Sequence, residues 1–513
     1  MIARTFVTPL LRVAALRAVE ATAQAALAPG ALMRRAGEAS ATLAMRLATE
    51  RTGHVLVLAG PGNNGGDALV AARCLRERGV DVRVALLDEA SRYRGDAEAA
   101  WRAWQCDRDA QTIVVKMPAA LNSATLVIDG LFGSGFNKGL NKALPQKARD
   151  WIASVNAASC PVLALDVPSG MNADTGHVDE LAIEADCTIT FIAAKPGLYT
   201  GDGPDHCGEI VVESLAVGDA IDELVRAPGK YVADIGCLNA PALYAHAKQP
   251  RRRNTHKGSF GSVAVVGGAT GMAGAALLAA RMALHAGAGR VYVRMLASDA
   301  SAVDVWQPEL MLRKDLDGVK PDAIAAGSGL GNGEAAIAAL EEVLDTPCCL
   351  VLDADALNLV AQRPALAARI VARSAAGKPC AVLTPHPLEA ARLLYTDAAG
   401  IQRDRIAAAL ELARRYGALV VLKGAGTVIA DTQGRWTINT TGNPGLATAG
   451  TGDVLCGLIA GLCAQGWPPH EAALGGAWIH GMAADDLVAN GTGPIGLVAS
   501  ELIPAIRRRL NAL

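Results

Sequence analysis

Aromatic side chains are scarce: Phe, Tyr and Trp make up 4% of a 513-residue chain that is 51% apolar. Its interiors must be filled by Ala, Val, Leu and Ile, with 54 glycines for turns and close approaches, a balance that suits α/β layers. Long apolar runs are also missing, and none reaches the roughly 20 residues of a membrane-crossing helix. Nor does one sign of charge dominate. The formal net charge is −2, so no global field favours nucleic acid or an anionic membrane. The cluster Arg251-Arg252-Arg253 is the local exception and reads as a solvated linker. The 11 cysteines contain no C-x-x-C pair, which excludes the usual zinc spacing and points to buried thiols in a reducing compartment. Ahead of Glu20 stand Arg4, Arg12 and Arg17 with no acid, faintly like a transit peptide. Val13 to Ala26 and Leu32 to Gly37 nevertheless read as helices of a folded domain, and the expected location is the cytoplasm.

What is present is a pair of α/β patterns. Apolar strand candidates at His54–Ala59, Val80–Leu87, Ala124–Ile128, Pro161–Leu165, Cys187–Ile192 and Glu209–Leu215 alternate with helix-like segments such as Ala68–Arg78 and Ala97–Trp104. Short, buried-looking strands between helices indicate a doubly wound parallel sheet. Pro228-Gly229 and Pro241 then break the pattern. A second series follows, at Ser262–Val266, Arg290–Leu296, Ala323–Ala326, Leu350–Leu352, Ala381–Leu383 and Ala418–Leu422, with a hairpin around Thr432-Gln433-Gly434. The expected fold is two doubly wound α/β domains. The expected domains span 1–225 and 246–513, with 226–245 as a linker region.

The most informative stretch is Gly442-Asn443-Pro444-Gly445-Leu446-Ala447-Thr448-Ala449-Gly450-Thr451-Gly452-Asp453, which runs into an apolar helix. A helix start presents unpaired N–H groups, and glycines let phosphate oxygens approach them. Asp453 would compete with a phosphate there. A carboxylate makes sense at that point if it takes the proton of a hydroxyl about to receive a phosphoryl group.

In the first unit, Gly60-Pro61-Gly62-Asn63-Asn64-Gly65-Gly66-Asp67 follows a strand, the edge where open α/β sheets bind ligands. Asp129-Gly130-Leu131-Phe132-Gly133-Ser134-Gly135-Phe136 and Asp166-Val167-Pro168-Ser169-Gly170 end two more strands. Each alone is more often a turn than a site; together they converge on one crevice. On these loops the unit resembles the NAD(P)H-hydrate epimerase domain, a Rossmann-like three-layer sandwich, from Val13 to about Leu215. The resemblance implies that Asn63, Asn64, Gly65, Gly66 and Asp67, with Gly133, Ser134, Gly135, Phe136, Asn137, Lys138 and Gly139, hold the hydrated dinucleotide. It implies a potassium ion on Asn64, Asp129 and Ser169, whose hard oxygens suit an alkali cation. Asp166 would be the acid/base group. Lys195 reads equally as its helper or as a surface lysine, and Lys138 is a weaker candidate.

The second unit repeats the pattern of loops at strand ends: Gly327-Ser328-Gly329-Leu330-Gly331, Asp353-Ala354-Asp355, Thr384-Pro385-His386-Pro387 and Lys423-Gly424. From about His246 to Leu513 it resembles the ribokinase-like dehydratases that repair NAD(P)H hydrate at the expense of a nucleotide. Leu388 departs from the glycine common at that place. The resemblance implies a hydrate site of Ala275, Gly329, Gly331, His386 and Asp453, the histidine being open also to a purely capping role. It also implies a site for ADP or ATP at Lys423, Gly424, Ala425, Gly426, Thr427 and Gly452. Magnesium is expected because transferred phosphoryl charge needs a cation; Asp353, Asp355 or Asn358 could position it, and a capped helix at Ala356 is an equally good reading of them. The implied activities are epimerisation of the R and S hydrates and dehydration of the S form, in a homo-oligomer. One competing reading is a vitamin-precursor kinase of the same superfamily. Another makes the first unit a non-catalytic binding module.

Overall fold

The computed structural model describes residues 7–48, 53–106, 117, 119–135 and 144–513. From Thr8 onward the contacts separate two compact units, Thr8–Gly236 and Cys237–Leu513. The boundary falls inside the stretch expected as a linker, but that stretch is not bare chain. It carries a 3-10 turn at Gly229–Asp234 and a strand at Ile235–Leu238, then fully buried Tyr244. Pro228 and Pro241 interrupt periodicity without preventing the apolar residues between them from docking.

In the first unit the strands run in the order Val82–Leu86, His54–Ala59, Ala124–Gly130, Val162–Leu165, Cys187–Phe191, Glu209–Glu213, and every neighbouring pair is parallel. The helices Val13–Ala26, Ala31–Leu47, Asn63–Glu77 and Gly95–Gln105 pack one face, burying Val19, Leu69 and Trp104 with Val55 and Val57. The helix Gln146–Asn156 covers the other, where Trp151 and Ile152 meet Leu56 and Leu58. Alternate residues of the same strand are therefore buried on opposite faces, which explains the unbroken apolar runs.

The second unit orders its strands Ile235–Leu238, Trp436–Asn439, Thr427–Ala430, Leu419–Leu422, Val382–Leu383, Cys349–Leu352, Ala323–Ala326, Ser262–Gly267, Arg290–Met295, Met311–Arg313. Thr427–Ala430 runs antiparallel to both its neighbours, as the hairpin expectation requires. On one face the helices Ala273–His285, Thr451–Ala464, Pro469–Ala489 and Ala499–Ala512 share a core with Val263 and Val265. The last of these helices was not expected, because Pro504 and Arg507–Arg509 blur its apolar stripe. Arg251–Arg253 are exposed, as expected of a solvated segment, but Arg251 is also tied to its neighbours. Its guanidinium lies 3.9 Å over the Phe260 ring and donates to Gly287 O at 2.8 Å. Among the described residues, no helix is long and apolar enough to cross a membrane.

In both units the glycine-rich motif precedes its helix as expected, and its last residues form the first turn. The first helix starts at Asn63, and the second site's helix starts at Thr451. A Cβ on Gly65 would stand 1.8 Å from Gly60 O, so the glycine is needed where helix meets strand end. At Gly457 a Cβ would stand 2.0 Å from Ala279 O, so Thr451–Ala464 and Ala273–His285 cross at backbone contact. Gly457→Ala is therefore expected to destabilise the second unit by about 1–3 kcal/mol, read as a lowered urea midpoint of the full chain. An unchanged midpoint would mean that the two helices are not held at this separation.

Candidate active sites

At the carboxyl edge of the first sheet, a cavity of about 650 Å³ opens between the Val13–Ala26 helix and the loops after three strands. Asn63, Asn64, Asp67, Gly133, Ser134, Gly135 and Asp166 all line it. Gly65 and Gly66 are buried behind it as helix-packing residues. Phe136, Asn137, Lys138 and Gly139 lie outside the described residues.

Asp166 occupies the left-handed region, with φ 66°, a conformation non-glycine residues keep only where their surroundings hold it. Here the holding groups are explicit. Lys195 Nζ lies 2.6 Å from Asp166 Oδ1, and the Ser134 amide donates to Oδ2 at 2.8 Å. Lys195 is fully buried, and its ammonium also donates to Thr190 Oγ1 and Phe191 O, each at 2.8 Å. The surface reading of Lys195 is thus overturned. Burial alone would raise the Asp166 carboxyl, but Lys195 and Ser134 outweigh it and hold its pKa below the ordinary carboxylate value. Asp67 and Glu20, in the same cavity, go the other way: burial and then the charge of Asp166 raise both.

Asp129 is completely buried, and no cation among the described residues offsets that burial. Its pKa is raised to about 6 by burial, against hydrogen bonds from Ser169 and Leu131. Ser169 Oγ and N reach its two oxygens at 2.7 and 2.8 Å. Asn64 donates to Leu165 O at 3.1 Å, and its buried Oδ1 has no partner among the described residues. An orphaned amide oxygen, a desolvated carboxylate and a hydroxyl make a donor set that fits a dehydrated alkali cation.

In the second unit the expected residues also meet at the carboxyl edge. A Cβ on Gly329 would touch Met272 O at 2.6 Å and Ala275 Cβ at 3.3 Å, and Gly331 faces Ala269. Gly331 N donates to Asp355 Oδ2 at 2.8 Å. Asp453 lies in the first turn of Thr451–Ala464. Its pKa is raised, by burial first and by Asp353 and Asp355 after it, while Ser328 and Lys423 pull it down. Among the described residues Ser328 Oγ closes no hydrogen bond of good geometry, yet it lies near enough to lower that carboxyl. Lys423 closes the strand Leu419–Leu422, Gly424 and Ala425 stand exposed beyond it, and Thr427 Oγ1 ties back to Gly424 O at 3.1 Å.

His386 caps the helix Pro387–Leu394: its Nδ1 accepts from the amides of Leu388 and Glu389, and Nε2 faces Glu389 Oε1 at 3.2 Å. Both ring nitrogens are thereby engaged, which leaves the exposed ring face for any ligand. Leu388 points outward, 47% exposed.

Several supports carry no local signature in the sequence. Asp485, on the Pro469–Ala489 helix, accepts from Gly442 N and Asn443 Nδ2, each at 2.9 Å. His480, on the same helix, reaches Thr451 O at 3.0 Å and is kept neutral by burial, its pKa about 4. Buried Arg405 donates to Leu422 O and Lys423 O at 3.2 and 3.1 Å, beneath the loop after that strand.

The family described as NAD(P)H-hydrate dehydratase matches residues 263–508, and the one described as YjeF-related protein N-terminus matches 29–197. The bifunctional NAD(P)H-hydrate repair enzyme Nnr of Coxiella burnetii (strain RSA 493 / Nine Mile phase I) is 39% identical, covering 94% of each chain. Its namesake from Escherichia coli (strain K12) is 36% identical over 94% of this chain and 89% of the relative. Among solved structures, an ADP/ATP-dependent NAD(P)H-hydrate dehydratase from Bacillus subtilis aligns at TM-score 0.44 with 30% identity, over 52% of this chain and 96% of that one. With both units matched in order and full-length relatives at this identity, the chain belongs to the bifunctional NAD(P)H-hydrate repair enzymes, an epimerase unit followed by a dehydratase unit.

Proposed function

We propose that Asp166 and Asp453 are the proton-handling residues of the two halves of this repair. The observation that carries the assignment is their placement. Each stands at the carboxyl edge of its own sheet beside a lysine, in environments that push the two carboxyls in opposite directions.

In the epimerase site, inversion at carbon 6 of the hydrated ring proceeds by reversible opening or loss of its hydroxyl. Held ionised by Lys195 and the Ser134 amide, Asp166 is suited to accept the hydroxyl proton as the ring opens and to return it on closure. Asn64, Asp129 and Ser169 would hold potassium, which would balance the Asp129 charge and tie the loop after Ala124–Gly130 to its neighbours.

In the dehydratase site, Asp453 takes the proton of the ring hydroxyl while the oxygen attacks the terminal phosphorus of the nucleotide. The phosphorus–oxygen bond to the departing nucleotide breaks. The ring nitrogen's lone pair then expels phosphate from carbon 6, and loss of a proton from carbon 5 restores the dihydronicotinamide. The amides at the start of Thr451–Ala464 and the Lys423–Thr427 loop would hold the phosphates, with ADP as the proposed donor. Magnesium would supply charge neutralisation on those phosphates.

The test follows recovery of reduced-nicotinamide absorbance from a mixture of R and S hydrates, with ADP or ATP, magnesium and potassium. The native chain is expected to recover both epimers. Asp166→Asn should recover only the S share beyond spontaneous exchange, and Asp453→Asn should lose dehydration by about 10²- to 10⁴-fold. Dehydration at native rate in Asp453→Asn would sink the assignment of that base.

Lys195→Met removes the cation that holds Asp166 down. Burial then prevails and its pKa rises, so the acid limb of the epimerase profile is expected to move to higher pH. A limb that stays in place would mean that another group titrates. Asn64→Ala should abolish stimulation of epimerisation by potassium and leave dehydration unchanged; stimulation that persists would put the ion elsewhere.

A further inference from the structure

Asp353 follows the strand Cys349–Leu352, where a helix cap would be its ordinary use. Its carboxylate makes no cap hydrogen bond to the Ala354–Gln362 helix. Instead Oδ1 lies 2.6 Å from Lys423 Nζ, with Asp353 only 2% exposed. The next residue, Ala354, takes the left-handed region at φ 47°, which an alanine keeps only where packing and hydrogen bonds hold it. The Asp353 amide donates to Ala326 O at 3.0 Å, and the Asp355 amide to Gly327 O at 3.3 Å. A Cβ on Gly452 would meet Lys423 Nζ at 3.3 Å and Asp353 Oδ2 at 3.5 Å. The ion pair therefore lies against the first turn of Thr451–Ala464, one residue before Asp453.

We propose that Asp353 is a positioning residue of the dehydratase, fixing the Lys423 ammonium against Gly452 so that one cation serves both the nucleotide phosphates and the charge balance of Asp453. The inference rests on Asp453 being the base. Ser328, Asp353, Asp355 and Lys423 all act on the Asp453 carboxyl from the surrounding strand ends. From beneath, His480 contributes no charge, and the buried Cys456 thiol on the same helix is pushed up. Burial works against the Lys423 ammonium, yet Asp353 and Glu389 hold its pKa above the ordinary lysine value. Without Asp353, the cation would be less restrained and would act on Asp453 unopposed. Nucleotide binding would then survive while proton transfer suffered.

Asp353→Asn in the full chain tests this by three readouts. Titration with ADP alone should show affinity retained or increased, since one negative charge has left the phosphate surroundings. Dehydratase kcat should fall by roughly 10²-fold, the scale of a misplaced reacting group. The acid limb of kcat/KM should move to lower pH, because Asp353 and Asp355 are the charges that raise Asp453. An unmoved limb, or ADP affinity that falls in step with kcat/KM, overturns the proposal. Should Asp353→Asn not fold, Asp353→Glu carries the test. Charge is kept and reach is changed, so the native limb should persist with reduced turnover, and a shifted limb overturns the proposal. Failure of the underlying reading is distinguishable, because it appears as undiminished turnover in Asp453→Asn whatever Asp353 does.

Discussion

A lysine paired with an aspartate at 2.6 Å stands at the carboxyl edge of each sheet, Lys195 fully buried and Lys423 half-buried, and each candidate site is arranged around that pair. Removing two charges from water costs several kcal/mol per ion and is repaid only if geometry and further hydrogen bonds are good. In the first unit the repayment is visible: Lys195 has Thr190 Oγ1 and Phe191 O, and Asp166 has the Ser134 amide. In the second, the pair is wedged against Gly452, and Lys423 is fixed through its own amide to Pro385 O at 2.9 Å. Breaking either pair leaves an uncompensated buried charge, so these positions are intolerant for electrostatic reasons before any chemistry is considered.

The sheets explain why the pairs occur where they do. Strand interiors are largely apolar where helices cover them, so the fully buried charges Asp129, Asp353 and Lys195 stand at or just beyond strand ends. Six of the loops that carry the chemistry leave the carboxyl ends of parallel strands: those at Asn64, Asp129, Asp166, Asp353, Lys423 and Ser328. Backbone amides freed at these ends are then available to carboxylates, as with Leu131 on Asp129 and Gly331 on Asp355. Small residues let neighbouring loops approach one another. Gly133 is an example: a Cβ there would come within 2.9 Å of Asp166 Oδ2.

Much of this was legible in the amino-acid order. Val55–Ala59 and Ala323–Ala326 stand out because every residue is apolar, and the glycines of Gly442–Asp453 before an apolar run mark where a helix starts at Thr451. Lys195 stayed ambiguous because burial is a property of the sheet, not of its neighbours in the chain. His386 illustrates the converse. Its position before Pro387 invited a ligand role, whereas the hydrogen bonds commit both ring nitrogens to the helix start. Asp485, His480 and Arg405 were invisible for a simpler reason: each supports a loop from a helix far away in sequence, and no spacing rule connects them.

The opposite displacement of the two carboxyls fits the different proton tasks proposed for Asp166 and Asp453. An epimerase runs one proton out and back at nearly equal energy, so its aspartate needs fixed orientation and a strong bias toward the ionised form between turnovers. Lys195 supplies both. A phosphoryl acceptor must lose its proton as the new bond forms, and there a more basic carboxylate takes more of that charge. Burial with Asp353 and Asp355 makes Asp453 more basic, while Lys423 and Ser328 oppose them and keep it ionisable. The same two residue types, lysine and aspartate, thus serve opposite ends by a change of contact. Where the lysine binds the proposed base directly, as at Asp166, that group is held down; where Asp353 takes the lysine, burial and neighbouring charge outweigh it and Asp453 rises.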